Sequence, residues 1–497
     1  MKDHLKFSGR CLLFIIAACL MLSGINRILR IKSKEGNYYS APGQYDGFYH
    51  LEKNTTDVLL IGSSHMFYNI CPQELYDRYG LRSYNLGMPG QNLVCTYYIL
   101  EEALKYQNPE TVVLETLYFF NDTSEIRNEG AHRKTIAWMR WSPLKVKAIL
   151  DVCKATPELE EKSFFLENII FHNRWSELSR ADFDFSYYRT HTENKGYLPA
   201  MVSNCTDHLN VYEDNPSDEH RPMNDLEKDY AGRIADLCKE KGIQLVLCTT
   251  PYLYWGPREH QGARDFAKEH DLPYYNFNET SGYQLLKDFD YTKDNIDNLG
   301  HCNITGAKKL SDALGKILTE DLGMKGHTDP QWEDTKAYYA KLQEEDRIRF
   351  ITDLPAYLKA IARPEYTVFF SVSDEASVSL SDKAVKAMRD LGLKAEIGIQ
   401  ESYLAVIDKG QVIYEDVGDR LLTYQGTLED GNIFYEVESA GWNQGSYSHI
   451  RINDMHDRAD YSLGRRGINI VVYDSYDNAV IDSVVFDTWD AGMPCYR

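Results

Sequence analysis

The stretch TDVLLIGSSH (56–65) decides the fold of this chain. It is a short apolar run that ends in glycine and two serines, which predicts a strand buried on both faces. Ligand sites in open α/β sheets lie beyond the carboxyl ends of the strands. Ser64, on a glycine turn at that end, is therefore a candidate nucleophile. A serine after a strand is also common as a helix cap, so this stretch alone leaves both interpretations open.

Four more apolar runs follow the first, and stretches of helical period separate them. Alternating strands and helices favour an α/β fold, with a parallel five-stranded sheet covered by helices on both faces. We assign residues 45–325 to this three-layer domain and interpret residues 118–230 as a helical insertion. The later strands are expected at 82–87, 111–117, 243–251 and 273–278, and the clearest helices at 72–80, 96–107 and 306–323.

Two further stretches place chemistry beside Ser64. NLGMPGQN (85–92) follows the second strand, and its glycines can turn backbone N–H groups inward to form an oxyanion hole; an ordinary Gly-Pro turn is the alternative. DNIDNLGHCNITGA (294–307) precedes the last helix of the domain and sets His301 between carboxylates and a helix start. A histidine in that position can take the Ser64 proton as general base.

Together, GSSH (62–65), NLGMPG (85–90) and GHCNITGA (300–307) resemble the SGNH/GDSL hydrolase family. The likeness is greater to its membrane-anchored, cell-envelope branch of polysaccharide O-acyltransferases and esterases than to secreted lipases. The resemblance implies Ser64 as nucleophile, His301 as general base, and the amides of Ser64 and Gly87 as oxyanion donors. It also implies transfer or hydrolysis of an acyl ester through an acyl-serine.

Two departures from the family pattern leave the other site residues open. The family places an aspartate three residues before the histidine, where this chain has Asn298, with Asp297 one position further back. Either Asp297 orients His301, or Asn298 does so by hydrogen bond. The family's third block, Gly-x-Asn-Asp, is not intact, and Asn121 is a weak candidate for the third oxyanion donor.

The N-terminus, MKDHLKFSGRCLLFIIAACLMLSGINRILR (1–30), carries a basic, apolar and basic pattern in that order. We interpret residues 1–34 as a cytoplasmic tip and an uncleaved signal anchor, followed by a polar stalk at 35–55. The apolar run 11–25 spans about 22 Å as a helix, so basic side chains must extend to the interfaces to complete a ~30 Å hydrocarbon core. The expected protein is a single-pass protein of the cell membrane, with its catalytic domain extracytoplasmic.

A charged stretch with helical periodicity, 326–363, is interpreted as a linker. After Pro364 the residue pattern changes from helical to alternating. Residues 364–497 alternate apolar and polar positions between Asp/Gly/Asn turns, which predicts a mostly β (α+β) module with one helix at 380–393. FFSVSDEASVSLSDKAVKAMRDLGL (369–393) and GINIVVYDSYDNAVIDSVVFDTW (467–489) resemble the ILEI (interleukin-like EMT inducer) domain, in permuted order. That resemblance implies glycan binding, although an inert interaction domain also fits.

Three tryptophans are candidates for substrate binding. Trp442 and Trp489 in the β module can stack on sugar rings, or belong to its core. Trp175 in the insertion can line an acceptor groove, or act as a packed aromatic anchor.

Composition limits the partners. The chain of 497 residues has 54 Lys and Arg against 75 Asp and Glu, a formal net charge of −21. That acidity argues against nucleic acid, which needs a basic face. The ten cysteines show no CxxC spacing, so the sequence predicts neither a zinc site nor a disulfide framework. No metal or cofactor is implied. The expected partners are an acylated surface polysaccharide, the membrane and a membrane acyltransferase.

Overall fold

The computed structural model describes residues 2–29, 43–120, 129–166, 168–176, 178, 180–183, 192–201, 205–214, 219–428, 433–454, 457–477 and 479–497. The chain forms two compact units, Met1–Tyr339 and Ala340–Arg497. Each unit is built around its own β-sheet.

The first unit contains the parallel five-stranded sheet that the sequence predicts. Its order is β2-β1-β3-β4-β5, and every neighbouring pair is parallel. The chain moves from β1 outward to β2 and then returns to the other side of β1 as β3. This reversal creates a crevice at the carboxyl ends of β1 and β3, where open α/β sheets bind ligands. The strands are β1 (Val58–Ile61), β2 (Ser83–Asn85), β3 (Thr111–Glu115), β4 (Gln244–Thr249) and β5 (Tyr274–Asn276).

Helices cover the sheet in two groups. One group contains α5, α7 and α10, which contact one another; the other contains α3, α4 and α14. The helices of the first unit are α1 (Lys2–Leu29), α2 (Gly43–His50), α3 (Ser64–Asn69), α4 (Pro72–Tyr79), α5 (Leu93–Ala103), α6 (Glu129–Ile136), α7 (Pro143–Ala155), α8 (Glu161–Phe165), α9 (Asn168–Phe171), α10 (Asp225–Lys241), α11 (Pro257–His270), α12 (Thr280–Gln284), α13 (Tyr291–Asp294), α14 (Ile304–Lys316) and α15 (Pro330–Glu333).

Local sequence explains where these helices begin and end. Pro72 opens α4 at a position that needs no N–H donor, and Gly80 closes it in the left-handed conformation. Asn303 caps α14 by accepting the Gly306 N–H. The described parts of the predicted insertion, 118–230, contain helices α6 to α9, the start of α10 and the short 3₁₀ segments His172–Ser176, Arg180–Phe183 and Thr192–Asn194. Stretches such as 197–201, 205–211 and 219–224 have no helical structure.

The N-terminal region departs from the expected stalk. Residues 43–50 form α2, and its Tyr45 and Phe48 are buried in the core, where the Phe48 and Tyr84 rings pack edge to face. The stalk prediction is therefore wrong for this part, because aromatic residues that looked surface-exposed in a polar stretch complete the core. Before it, α1 contains the segment Phe7–Leu29, which is long and apolar enough to cross a membrane.

The segment predicted as a linker divides between the two units. Trp332 in α15 is fully buried beside Tyr76 of α4, inside the first unit. Helix α16 (Lys336–Ile348) crosses the boundary, and α17 (Leu354–Ala360) packs its Tyr357 against Phe486 in the second unit.

The second unit is mostly β, as the sequence predicts, with the helix α18 (Asp382–Asp390) inside the predicted 380–393. β6 lies between β7 and β13, both antiparallel to it, and β10 lies between β9 and β11. Side chains from both groups share one core. The strands are β6 (Tyr366–Asp374), β7 (Ser402–Asp408), β8 (Gln411–Gly418), β9 (Leu422–Leu428), β10 (Ile433–Gly441), β11 (Tyr447–Asp454), β12 (Asp457–Asp460), β13 (Gly467–Asp474), β14 (Ala479–Phe486) and β15 (Cys495–Tyr496).

Candidate active site

The turn between β1 and α3 presents Ser64 at the crevice. Gly62 has a φ of 151°, and a Cβ there would lie 2.6 Å from the Cβ of Glu115, so only glycine lets the turn pass this close to β3. Ser63 caps α3 by accepting the His65 N–H, and Ser64 is the first residue of the helix. At that position its own N–H has no acceptor within the helix.

Ser64, His301 and Asp297 form a continuous hydrogen-bonded chain. His301 Nε2 lies 2.7 Å from Ser64 Oγ, and His301 Nδ1 lies 2.7 Å from Asp297 Oδ2. With the proton on Nδ1, the imidazole donates to Asp297 and accepts from the serine hydroxyl. This is the arrangement in which a histidine can remove a proton from a serine while a carboxylate fixes its tautomer.

Asp297, rather than Asn298, faces the histidine. Asp297 Oδ1 accepts the Leu299 N–H at 2.9 Å, which holds the loop as a tight turn and leaves Oδ2 for His301. The Asn298 amide points elsewhere: its oxygen accepts from the backbone N–H groups of Thr206 and Asp207. Of the two orienting residues considered from the sequence, the geometry brings only Asp297 into contact with His301.

The charge state of Asp297 suits this contact. Partial burial raises the pKa of the Asp297 carboxyl, but the hydrogen bond from His301, the His301 charge and the backbone N–H donors outweigh burial and hold the pKa below its usual range. A carboxylate that stays ionised can stabilise the imidazolium formed when the histidine takes a proton.

Two sets of contacts from α3, hydrogen bonds and ring packing, hold His301 in position. Asn69, the last residue of α3, donates its amide N–H to the Gly300 carbonyl at 2.9 Å, and its oxygen accepts the Cys302 N–H at 2.8 Å. The backbone on both sides of His301 is thus bonded to the helix that begins with Ser64. The rings of Tyr68 and His65 pack against the imidazole, with centroids 5.1 and 5.2 Å away.

His65 itself is a buried, uncharged histidine. Its Nδ1 lies 3.2 Å from the Oγ1 of Thr250, the residue that follows β4. Burial and, to a smaller extent, the nearby His301 charge together lower the pKa of His65 to about 3. The ring is therefore a neutral support for His301 at ordinary pH.

The buried carboxyl of Glu115 contacts the turn between β1 and α3. Glu115, the last residue of β3, accepts hydrogen bonds from Ser63 Oγ at 2.7 Å and from the Leu117 N–H at 2.6 Å, and it also receives the Ser63 N–H. Burial raises the pKa of Glu115 to about 7, although these donors and the His301 charge favour the ionised form. Glu115 ties the turn before Ser64 to the neighbouring strand.

The N–H groups of Ser64 and Gly87, the two candidate oxyanion donors, differ in whether they already have a hydrogen-bond acceptor. No residue that the structure describes accepts the Ser64 N–H, which makes it an open donor beside the hydroxyl. The Gly87 N–H donates to Asn85 Oδ1 at 3.0 Å. Gly87 is required for packing, because a Cβ there would lie 2.8 Å from Met66 Cβ. Asn121 lies outside the described residues, so its proposed role stays a prediction.

Three tryptophans, Trp175, Trp442 and Trp489, are the candidates for substrate binding that the sequence singles out. Trp175 is exposed and has no hydrogen bond or ring contact with any residue in the described part of the chain. Trp442 and Trp489 belong to the second unit, where both indoles are about half exposed and the Arg466 guanidinium lies 5.6 Å from the Trp489 ring centre. Their substrate-binding roles stay predictions.

One acidic cluster has the spacing of a metal site. Ligand atoms of Glu345, Asp474 and Asp477 lie within 4.8 Å of one another in the second unit. The ammonium of Lys341 contacts all three carboxylates, so a protein cation already satisfies the charge that a metal ion would bring. The cluster is therefore best described as an ion-pair network of the fold.

Glu115 and Asn69 are the site residues that sequence reasoning missed. Glu115 could have been found from the sequence, because a charged residue at the end of the apolar strand TVVLE is a candidate site residue. Asn69 had none, since a polar residue at the end of a short helix is ordinary and its partners are far away in sequence.

Comparisons with known proteins give distant structural similarity only. No family model matches the chain, and no curated protein matches it. Among solved structures, a candidate acylhydrolase from Bacteroides fragilis NCTC 9343 matches with a TM-score of 0.27 and 9% identity, covering 56% of this chain and 94% of its own. A GDSL-like lipase from Bacteroides thetaiotaomicron VPI-5482 matches with a TM-score of 0.26 and 13% identity, covering 56% and 96%.

Proposed function

We propose that this protein is a membrane-anchored serine esterase or O-acyltransferase that works through an acyl-Ser64 intermediate. The observation that carries the proposal is the hydrogen-bonded chain from Ser64 through His301 to Asp297, with 2.7 Å at each step. It lies at the carboxyl end of the sheet, where the strand order reverses.

The proposed reaction has two halves. Ser64 Oγ attacks the carbonyl carbon of an acyl ester while His301 Nε2 takes the hydroxyl proton, and the Ser64 N–H donates to the oxyanion. The ester C–O bond then breaks, and His301 returns the proton to the departing alcohol. In the second half, His301 activates water or an acceptor hydroxyl, which attacks the acyl-serine and restores Ser64.

We propose an O-acylated cell-surface glycan as the substrate. The apolar N-terminal segment Phe7–Leu29 supports a membrane location, and the exposed Trp442 indole supports sugar contact, because a flat aromatic face suits a pyranose ring. We propose that the catalytic unit lies on the extracytoplasmic side. If the protein is a transferase, a membrane acyltransferase that supplies the acyl group is its expected partner.

A catalytically inactive scaffold or glycan-binding protein is the second candidate. It is favoured by the Gly87 N–H, which donates to Asn85 instead of pointing unpaired into the site. In that case the triad would hold the fold together and the second unit would provide the binding activity.

Hydrolysis of aryl acetates and acetylated glycans separates these candidates. Ser64→Ala should reduce the rate by about 10³-fold or more, since nucleophile and base act as a unit. Circular dichroism should show an unchanged fold, because the substitution removes only one hydroxyl. A wild-type protein with no activity on any ester would support the scaffold. Full activity in Ser64→Ala would instead show that Ser64 is not the nucleophile.

A further inference from the structure

Three exposed apolar side chains lie on short elements that pack against α1. They are Ile169 on α9, Trp175 on the 3₁₀ segment His172–Ser176 and Phe183 on the 3₁₀ segment Arg180–Phe183, with 40%, 73% and 56% of their surfaces exposed. All three short elements contact α1. We call these residues the apolar collar. Exposing such large apolar side chains to water costs free energy, so three of them on elements packed against one apolar helix indicate an interaction surface.

Arg174 links the 3₁₀ segments that carry Trp175 and Phe183 to the end of α1 through a hydrogen bond and a buried ion pair. Arg174 donates one guanidinium N–H to the Leu29 carbonyl at 2.6 Å and another to Asp182 Oδ1 at 2.8 Å. Arg174 and Asp182 are both buried. A cation at a helix C-terminus satisfies a free carbonyl and the local negative dipole. The segments that carry Trp175 and Phe183 are therefore held against the end of α1 by buried polar contacts.

The length of α1 sets the depth of the collar. The apolar segment Phe7–Leu29 has 23 residues. At ~1.5 Å per residue it spans about 34 Å, close to the ~30 Å thickness of a hydrocarbon core. Large apolar side chains are exposed along it as far as Ile25, whereas Leu29 is covered. When the segment fills the core, its Leu29 end reaches the interface between acyl chains and headgroups.

We propose that the apolar collar lies in the interfacial layer of the bilayer that α1 crosses and contacts phospholipid directly. This inference rests on the membrane anchoring within the proposed function. Trp175 is the central residue, because indole rings prefer the membrane–water interface, where one edge is wet and the other apolar. The collar adds a second attachment beside α1, which holds the catalytic unit at a fixed height and orientation over the membrane surface.

Fluorescence quenching by brominated lipid tests the collar. The purified full chain is reconstituted into phosphatidylcholine vesicles whose acyl chains carry bromine near the headgroup. Tryptophan emission of the wild type should be quenched relative to ordinary lipid, and Trp175→Ala should lose a clear part of that quenching. Because the indole is mostly exposed, its removal should leave the fold intact. High salt should change nothing, since the contact is apolar.

Trp442→Ala is the matched control, because it removes an indole of similar exposure, 57%, from the second unit. It should leave the lipid quenching as in the wild type. Equal quenching in wild type and Trp175→Ala would overturn the collar, and would favour a protein partner as its occupant since these vesicles contain none. Loss of the Trp175 contribution in high salt would replace the apolar contact with a headgroup charge interaction and would also overturn it.

Alkaline extraction of the same vesicles separates failure of the collar from failure of the anchor. Full retention with no Trp175 contribution would contradict the collar alone and leave the anchor standing. Release of the protein would contradict both. Activity of Ser64 is measured independently in detergent and bears on neither outcome.

Discussion

At the residue scale, the choice between Asp297 and Asn298 is the sharpest test of the loop geometry. Asp297→Ala should lower the rate by about 10²–10⁴-fold, because an ionised carboxylate fixes the His301 tautomer and stabilises the imidazolium. Asn298→Ala removes an exposed amide that bonds only to the backbone and side chain of 206–207, so its effect should be small. Steady-state kinetics of the pair decides between them, and the reverse ranking would contradict the geometry.

His65 makes a prediction about stability and pH. Its pKa is about 3 in the folded protein and 6.5 when exposed, so between these values the unfolded chain binds a proton that the folded chain does not. The unfolding free energy is therefore not reduced by His65 above about pH 6.5, and it falls as the pH drops from 6.5 toward 3. Gln cannot titrate, so the unfolding free energy of His65→Gln should fall by about 1.4 kcal/mol less per pH unit than that of the wild type in this window. Urea unfolding at several pH values measures both slopes; parallel curves would contradict the prediction.

At the element scale, Asn69 joins α3 to the loop that carries His301. Asn69→Ala leaves the Gly300 carbonyl and the Cys302 N–H without this partner, which should cost about 2–4 kcal/mol of unfolding free energy. The loosened histidine should also lower kcat by about 10–100-fold with little change in KM, since small displacements of a base have large effects on rate.

Asn303→Ala provides the matched control for Asn69. It removes the N-cap of α14 and should cost about 1 kcal/mol. The His301 contacts remain, so its kcat should change less than that of Asn69→Ala. Kinetics and urea unfolding of both variants give the comparison. If kcat falls equally in the two, the rate loss reflects general destabilisation and Asn69 has no special positioning role.

The strands of the first unit were predictable because their signal is local. Runs such as VLLI (58–61) and TVVLE (111–115) are buried on both faces, and burial leaves a continuous apolar pattern in the sequence. The buried helix at 43–50 was missed because its aromatics lie among polar residues and complete a core built by distant elements.

The candidate site was predictable only in part, for a similar reason. Ser64 and His301 stand out by their place in the order of elements. The choice of Asp297 over Asn298 depends on a turn in which Asp297 accepts the Leu299 N–H, and one residue of loop register is invisible in the sequence. Asn69 and Glu115 act through contacts across 231 and 52 positions, which no local pattern reports.

At the scale of the whole molecule, the second unit should fold alone when it includes its N-terminal helices. Tyr357 packs on Phe486, and Lys341 pairs with Asp474 and Asp477, so a fragment from 364 would lose both contacts. Residues 340–497 should therefore unfold at a higher temperature than residues 364–497. Thermal melts of the two fragments test this, and equal melting temperatures would contradict it.

The same fragment, 340–497, should bind surface glycan weakly. A dissociation constant of about 1 mM, near −4 kcal/mol, is sufficient because tethering raises the local substrate concentration. Trp442→Ala should abolish binding, whereas Trp489→Ala should weaken it less, since the Arg466 guanidinium already covers that ring. Titration with cell-wall and capsular glycans is the measurement; no binding at millimolar glycan would leave this unit as a protein–protein contact domain.

The central claim is that Ser64 is an activated nucleophile, and covalent labelling tests it most directly. The folded full chain is treated with a fluorophosphonate, and the labelled peptide is identified by mass spectrometry. We predict one adduct, on Ser64, that is absent in Ser64→Ala, greatly slowed in His301→Ala and absent after heat denaturation. An unlabelled wild-type protein, or an adduct on Ser63 that persists in Ser64→Ala, would contradict the account.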